Sequence, residues 1–197
     1  MAEPTLDRRG ILPRLLPDPE KYLIVTGLAG AAKDTADYTQ EAANTITLGG
    51  AMGAAIPMGL GVALSAPKED VMIITGDGEL MMSVGALATV ASAMPDNVSI
   101  ICVDNGCHGE TGGQSGHTSQ RTNLALMAEG AGIPSTLSVD SEDQLDAAAR
   151  FLKEAPAPRF LCVRVMPGPS SSYKRNWNLI EGRLKFRNAY LAQRTQS

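Results

Sequence analysis

Short apolar runs alternate along this chain with stretches whose apolar positions repeat at helical spacing. The runs at Tyr22–Thr26, Thr45–Leu48, Val71–Ile74, Val98–Val103, Thr136–Val139 and Phe160–Val165 are rich in β-branched residues and read as buried strands. Helical patterns follow the glycine turn at Gly27–Gly30 and cover Gly53–Ala66, Leu80–Met94, Leu124–Ala131 and Ile180–Leu191. Ser141-Glu142-Asp143-Gln144 has the form of a capping box and opens a further helix that runs to Glu154. Asn123 is placed to cap the helix at Leu124. Strands that alternate with helices predict an α/β fold: a single three-layer domain with a mostly parallel central sheet and helices on both faces.

Three places break the rhythm. Residues 1–20 hold four prolines around Ile11-Leu12 and Leu15-Leu16, and are expected to form an extended arm that either packs on a neighbour or lies loosely. Gly106 to Gln120 is a polar, glycine-rich connection far longer than the usual 4–6 residues, which points to function. Pro167-Gly168-Pro169 and a serine run lead from the α/β domain, 21–170, into a helical extension, 171–197. Within Gly53–Ala66, Gly59 and Gly61 each weaken the helix by about 1 kcal/mol against alanine. The preferred reading is a close interhelix or subunit contact; plain core crowding is the alternative.

Composition narrows the function classes. A net charge of −4 over 197 residues offers nucleic acid no general attraction. No apolar run reaches membrane-spanning length and no signal-peptide pattern is present, so no membrane partner is expected. Three cysteines, Cys102, Cys107 and Cys162, are odd in number and lack metal spacing, which suggests reduced thiols in a cytoplasmic protein. The basic tail residues Lys174, Arg175, Arg183, Lys185, Arg187 and Arg194 read as a solvated face, with Lys174 or Arg175 reaching an anionic substrate as the sharper option.

The chemistry centres on Thr75-Gly76-Asp77-Gly78-Glu79. A strand that ends in Gly-Asp-Gly and turns into a helix puts one carboxylate at its carboxyl end and leaves backbone N–H groups free at the helix start, where open α/β sheets hold phosphates. Taken alone, the tripeptide is often just a turn. A second strand later ends in Asp104-Asn105-Gly106-Cys107, and an acid and an amide at two strand tips suit a hard cation. His108 and His117, the only histidines, lie in the long loop as exposed filler or as proton carriers. A zinc site from Cys107, His108 and His117 fits no common spacing.

Gly-Asp-Gly followed by Asp-Asn, with Leu48-Gly49-Gly50-Ala51-Met52-Gly53 upstream, resembles the diphosphate-binding domain of thiamine-diphosphate enzymes. The Thr111-Gly112-Gly113-Gln114 loop is most similar to sulfopyruvate decarboxylase beta chains and phosphonopyruvate decarboxylases. The resemblance implies thiamine diphosphate and Mg²⁺ as cofactors, with the metal on the Asp77 carboxylate, the Asn105 side-chain oxygen and the Cys107 main-chain carbonyl. It implies cofactor contacts from Gly27, Gly30, Gly50, Gly76, Gly78, Glu79 and Thr111, and makes Met52 the wedge that bends the cofactor. Asp104 stands where many relatives have asparagine, and is read as structural. His108 and His117 become candidates for proton transfer or for holding a sulfonate or phosphonate, with Thr111, Gln114 and Thr118 adding hydrogen bonds.

Such enzymes also need a glutamate on a pyrimidine-binding domain, which cannot be assigned here. The resemblance therefore implies an alpha-type partner subunit that carries it, a higher hetero-oligomer, and decarboxylation of a small 2-oxo acid. Alternatives are a 2-oxoacid:ferredoxin oxidoreductase beta subunit, an acyloin carboligase subunit, and a non-catalytic cofactor-binding subunit.

Overall fold

The computed structural model describes residues 3–194. The outermost ends of the predicted arm and extension, and the Arg194 side chain, lie outside the described residues. The main sheet is built from β1 (Tyr22–Thr26), β2 (Thr45–Thr47), β3 (Asp70–Gly76), β4 (Val98–Asp104), β7 (Ser135–Val139) and β8 (Arg159–Arg164). The order is β2-β1-β3-β4-β8-β7, with every neighbouring pair parallel. Alternate residues of each strand enter opposite cores. Val25, Ile73, Ile100 and Phe160 pack under α3 (Ala55–Ser65), α5 (Ala86–Ala93) and α6 (Leu124–Gly130). Ile24, Met72, Ile101 and Leu161 pack under α1 (Arg8–Leu15), α2 (Ala29–Thr39) and α7 (Leu145–Glu154). The predicted three-layer fold is the observed one.

Several local expectations need correction. The N-terminal arm is not extended. Asp7 caps α1 by accepting from the Arg9 N–H, and Ile11, Leu12, Leu15 and Leu16 are buried in this chain's own core. The prolines concealed a helical spacing of apolar residues. The single helix predicted over Leu80–Met94 is two, α4 (Asp77–Met82) and α5, separated at Ser83. That residue leaves helical geometry and its hydroxyl donates to the Gly53 carbonyl at 2.5 Å, tying the break to the segment before α3. Gly59 faces the domain's own sheet, because a side chain there would overlap Ile73, so core crowding is its explanation. Gly61 faces open space. The long loop carries a small antiparallel ribbon, β5 (Cys107–His108) with β6 (Gln114–Ser115). The Asn123 cap and the Ser141–Gln144 capping box form as expected. The terminal helix, α8 (Leu179–Arg194), is slightly longer than predicted.

The topology fixes where a ligand can go. From β1 the chain moves to β2 on one side, whereas from β3 it moves to β4 on the other. The connections part at the carboxyl ends of β1 and β3, and a crevice opens at such a switch point. The turns on its two sides are Gly27–Leu28 and Gly76–Asp77.

Candidate functional site

The crevice is a cleft of about 510 Å³ at this switch point. Its walls include Gly30, Met52, Gly76, Asp77, Gly78, Glu79, Asn105, Cys107, His108 and Thr111, so most of the predicted site residues share one space. Met52 is partly exposed, and its methyl group and the His108 ring both border Gly78. Gly27 and Gly50 are not among the lining residues. Gly27 packs against the Glu79 carboxylate, and the Gly50 carbonyl accepts the Met52 N–H at 3.0 Å. His117 is exposed outside the cleft, and its carbonyl closes a turn to Gln120. Lys174 and Arg175 do not line the cleft either; Arg175 stacks on Trp177, 4.4 Å from the ring centre.

The register of the sheet sets the electrostatics. Gly76 pairs with Val103, so the next residues, Asp77 and Asp104, emerge side by side at the carboxyl edge. Both are buried, and one hydroxyl bridges them: Thr118 Oγ1 is 2.6 Å from Asp104 Oδ1 and 3.3 Å from Asp77 Oδ2. Burial, and then the Asp104 charge, push the Asp77 carboxyl up to about 6. The Gly78 N–H, facing the same carboxylate, opposes the shift only in part. Among the described residues neither carboxylate has a salt-bridge partner. Two buried acids around one hydroxyl form a site short of positive charge, the condition a divalent cation satisfies. Asn105 stands beside them and accepts the Cys107 N–H at 3.2 Å through its side-chain oxygen.

The Glu79 side chain has a place of its own, apart from the backbone contact expected of this residue. Its side chain turns inward, where Oε2 accepts from Leu28 N at 3.2 Å and from Thr75 Oγ1 at 3.1 Å. Oε1 is buried and has no hydrogen-bond partner among the described residues. Burial raises this carboxyl too. Glu79 thereby ties together the turns after β1 and β3.

Arg8, Lys33, Glu110 and Ser171, which no sequence motif marks, also line the cleft. Lys33 on α2 meets Glu110 of the β5–β6 loop at 2.8 Å. Arg8 lies in the segment expected to form an extended arm. The spacing of Ile11, Leu12, Leu15 and Leu16 was the signal that would have turned it toward the domain.

The cysteines divide by environment. Cys102 and Cys162 face each other in the core on β4 and β8, and the hydrogen bond between them, together with burial, raises the Cys102 thiol. Cys107 is partly accessible in the cleft, its thiol raised by burial and by the charge of Asp77. In the folded chain a maleimide should label Cys107 alone, and slowly. Mass spectrometry checks this; early labelling of Cys102 or Cys162 contradicts the packing.

Comparison with known proteins agrees with this geometry. The model of the family described as "Thiamine pyrophosphate enzyme, C-terminal TPP binding domain" matches residues 29–163. Sulfopyruvate decarboxylase subunit beta of Methanocaldococcus jannaschii is 33% identical over 127 residues, which cover 64% of this chain and 66% of that one. Phosphonopyruvate decarboxylase of Streptomyces hygroscopicus is 36% identical over 126 residues, 64% of this chain but only 31% of the relative. The chain thus spans about two thirds of the first relative and about a third of the second. Among solved structures, a thiamine diphosphate-dependent 4-hydroxybenzoylformate decarboxylase from Rhodococcus jostii RHA1 superposes with a TM-score of 0.64. At 18% identity, covering 87% of this chain and 34% of that one, this shows a shared fold.

Proposed function

The chain belongs to the thiamine pyrophosphate enzyme family through its C-terminal TPP-binding domain, and on that premise we propose that it is the beta-type subunit of a thiamine-diphosphate- and Mg²⁺-dependent 2-oxo acid decarboxylase. The observation that carries the reading is the pair of buried carboxylates, Asp77 and Asp104, which meet at two strand tips without a cationic partner among the described residues. Asp77, the Asn105 side-chain oxygen and the Cys107 carbonyl would hold Mg²⁺, which keeps few protein ligands and shares phosphate oxygens. Asp104 adds negative charge behind them, and Thr118 fixes both acids. N–H groups at Gly78 and Glu79 would meet the diphosphate.

When bound, thiamine diphosphate supplies the electron sink that lets a 2-oxo acid release CO₂. The residues of this chain supply position and charge. Met52, beside Gly78, shapes the end of the cleft where the ring would lie. His108 sits next to Gly78 and can hold a proton at the mouth. His117, outside the cleft, has no such position in this chain alone.

Beta-subunit relatives are named as one part of a larger enzyme. The exposed apolar residues Leu64 on α3, Met82 at the end of α4, and Trp177, Leu179 and Ile180 offer surface for an alpha-type subunit that carries the pyrimidine-domain glutamate. CO₂ release from a panel of 2-oxo acids, with sulfonate- and phosphonate-bearing members, tests the proposal. Activity is expected only with the partner present. A normal rate from the chain alone removes the two-subunit reading, and no cofactor-dependent activity with the partner removes the decarboxylase reading.

A further inference from the structure

Arg8 is a charged side chain with 6% exposure that crosses from α1 to the far end of the cleft. Its Nε donates to Asp34 Oδ2 at 2.7 Å. Among the described residues its two Nη atoms have no hydrogen-bond partner, yet the residue lines the cleft. The other cation there, Lys33, is already committed to Glu110. Asp34 is fully used as well, because its Oδ1 accepts the Ser171 N–H at 2.7 Å. One buried acid therefore anchors the N-terminal helix and the C-terminal linker to α2, and leaves a guanidinium with free donors.

Two features show that this end of the cleft is built around the guanidinium. A side chain at Gly30 would overlap the Arg8 guanidinium, so the glycine provides room for it. No side chain caps the first turn of the eleven-residue α2, whose residues Ala29, Gly30 and Ala31 also line the cleft. An uncapped helix start beside a guanidinium whose Nη donors are free, its Nε being held by Asp34, is a strong arrangement for a phosphate. It lies across the sheet from Met52: Arg8 enters from the face covered by α1 and α2, and Met52 from the segment before α3.

Building on the cofactor reading above, we propose that Arg8 binds the terminal phosphate of thiamine diphosphate, so that the N-terminal helix reads whether the second phosphate is present. The aromatic end of the cofactor would lie at Met52, the inner phosphate toward Asp77 and Asn105, and the outer phosphate at Arg8 and the start of α2.

Calorimetric titration of the full chain with thiamine diphosphate and with thiamine monophosphate, both with Mg²⁺, tests this. Wild type is expected to prefer the diphosphate. Arg8→Ala should weaken diphosphate binding about ten- to a hundredfold and change monophosphate binding little. Arg8→Lys should recover only part of the loss, because a point charge lacks the planar fork. Gly30→Ala keeps every charge but displaces the guanidinium, so it should reduce the preference for diphosphate, and add nothing in the Arg8→Ala background. It remains decisive if Arg8→Ala fails to fold. If the variants keep the wild-type preference, or lose both ligands equally, Arg8 is structural and the inference falls alone. If wild type binds neither ligand, alone or with the partner subunit present, the cofactor reading falls with it.

Discussion

Asp77→Asn should make the metal-free chain more stable and abolish its response to Mg²⁺ and thiamine diphosphate. The carboxyl of Asp77 titrates in the folded chain at about 6 against an ordinary 3.8, because it is buried and faces Asp104. For an acid raised in this way, the folded state is penalised at every pH above about 6. The penalty shrinks as pH falls, and vanishes below about 4, where folded and unfolded chains are both protonated. Near pH 8 the shift corresponds to about 3 kcal/mol. The neutral amide removes the charge and keeps an oxygen for the Gly78 N–H, so a gain of about 1–3 kcal/mol is expected there, or several degrees in Tm. Near pH 4 the two chains should melt together.

The same substitution removes the anionic ligand proposed for Mg²⁺. Cofactor affinity in the presence of Mg²⁺ should fall by at least about a hundredfold, beyond the 10–100-fold typical of losing a residue that only supports a metal ligand. Melting curves with and without Mg²⁺ and cofactor, taken across pH 4 to 8, decide the matter. An Asp77→Asn chain less stable than wild type at pH 8, or one that still binds cofactor with Mg²⁺, contradicts the reading.

Much of this site was legible because its signals are local. Gly-Asp-Gly at a strand end and Asp-Asn at the next strand's end place four groups by chain position alone, and a parallel register brings them together. Less was legible where a residue's role depends on a distant partner. Asp104 reads as a substitution in a motif, yet its contribution is a second buried charge shared through Thr118, fourteen residues away. Gly30 reads as a phosphate contact, and nothing in its own segment shows that its lack of a side chain also makes space for Arg8. Arg8 itself lay in a proline-containing stretch whose helix forms because the core behind it accepts four leucines and isoleucines. The split of the predicted Leu80–Met94 helix had no local marker, since the hydrogen bond that holds it runs from Ser83 to Gly53.

Gly27→Ala should be strongly destabilising. A Cβ at Gly27 would occupy the place of the Glu79 carboxylate. The glutamate cannot yield cheaply: it is buried, and it satisfies both the Leu28 N–H and the Thr75 hydroxyl. Displacing it leaves those donors unpaired, at about 1–3 kcal/mol each. A loss of about 3 kcal/mol or more is therefore expected, lowering Tm by roughly 6–12 °C for a chain of this size. Glu79→Ala should cost less, about 1–3 kcal/mol, because the carboxylate it removes already bears a burial penalty. In the double variant the methyl group at position 27 enters the space the glutamate has left. Gly27→Ala should then add little to Glu79→Ala, giving a coupling energy of about 2 kcal/mol or more between two positions 52 residues apart. Denaturant unfolding of the four chains measures it. Simple additivity would show that the turns after β1 and β3 are not held to each other through this carboxylate, and the cleft would then need another explanation for its shape.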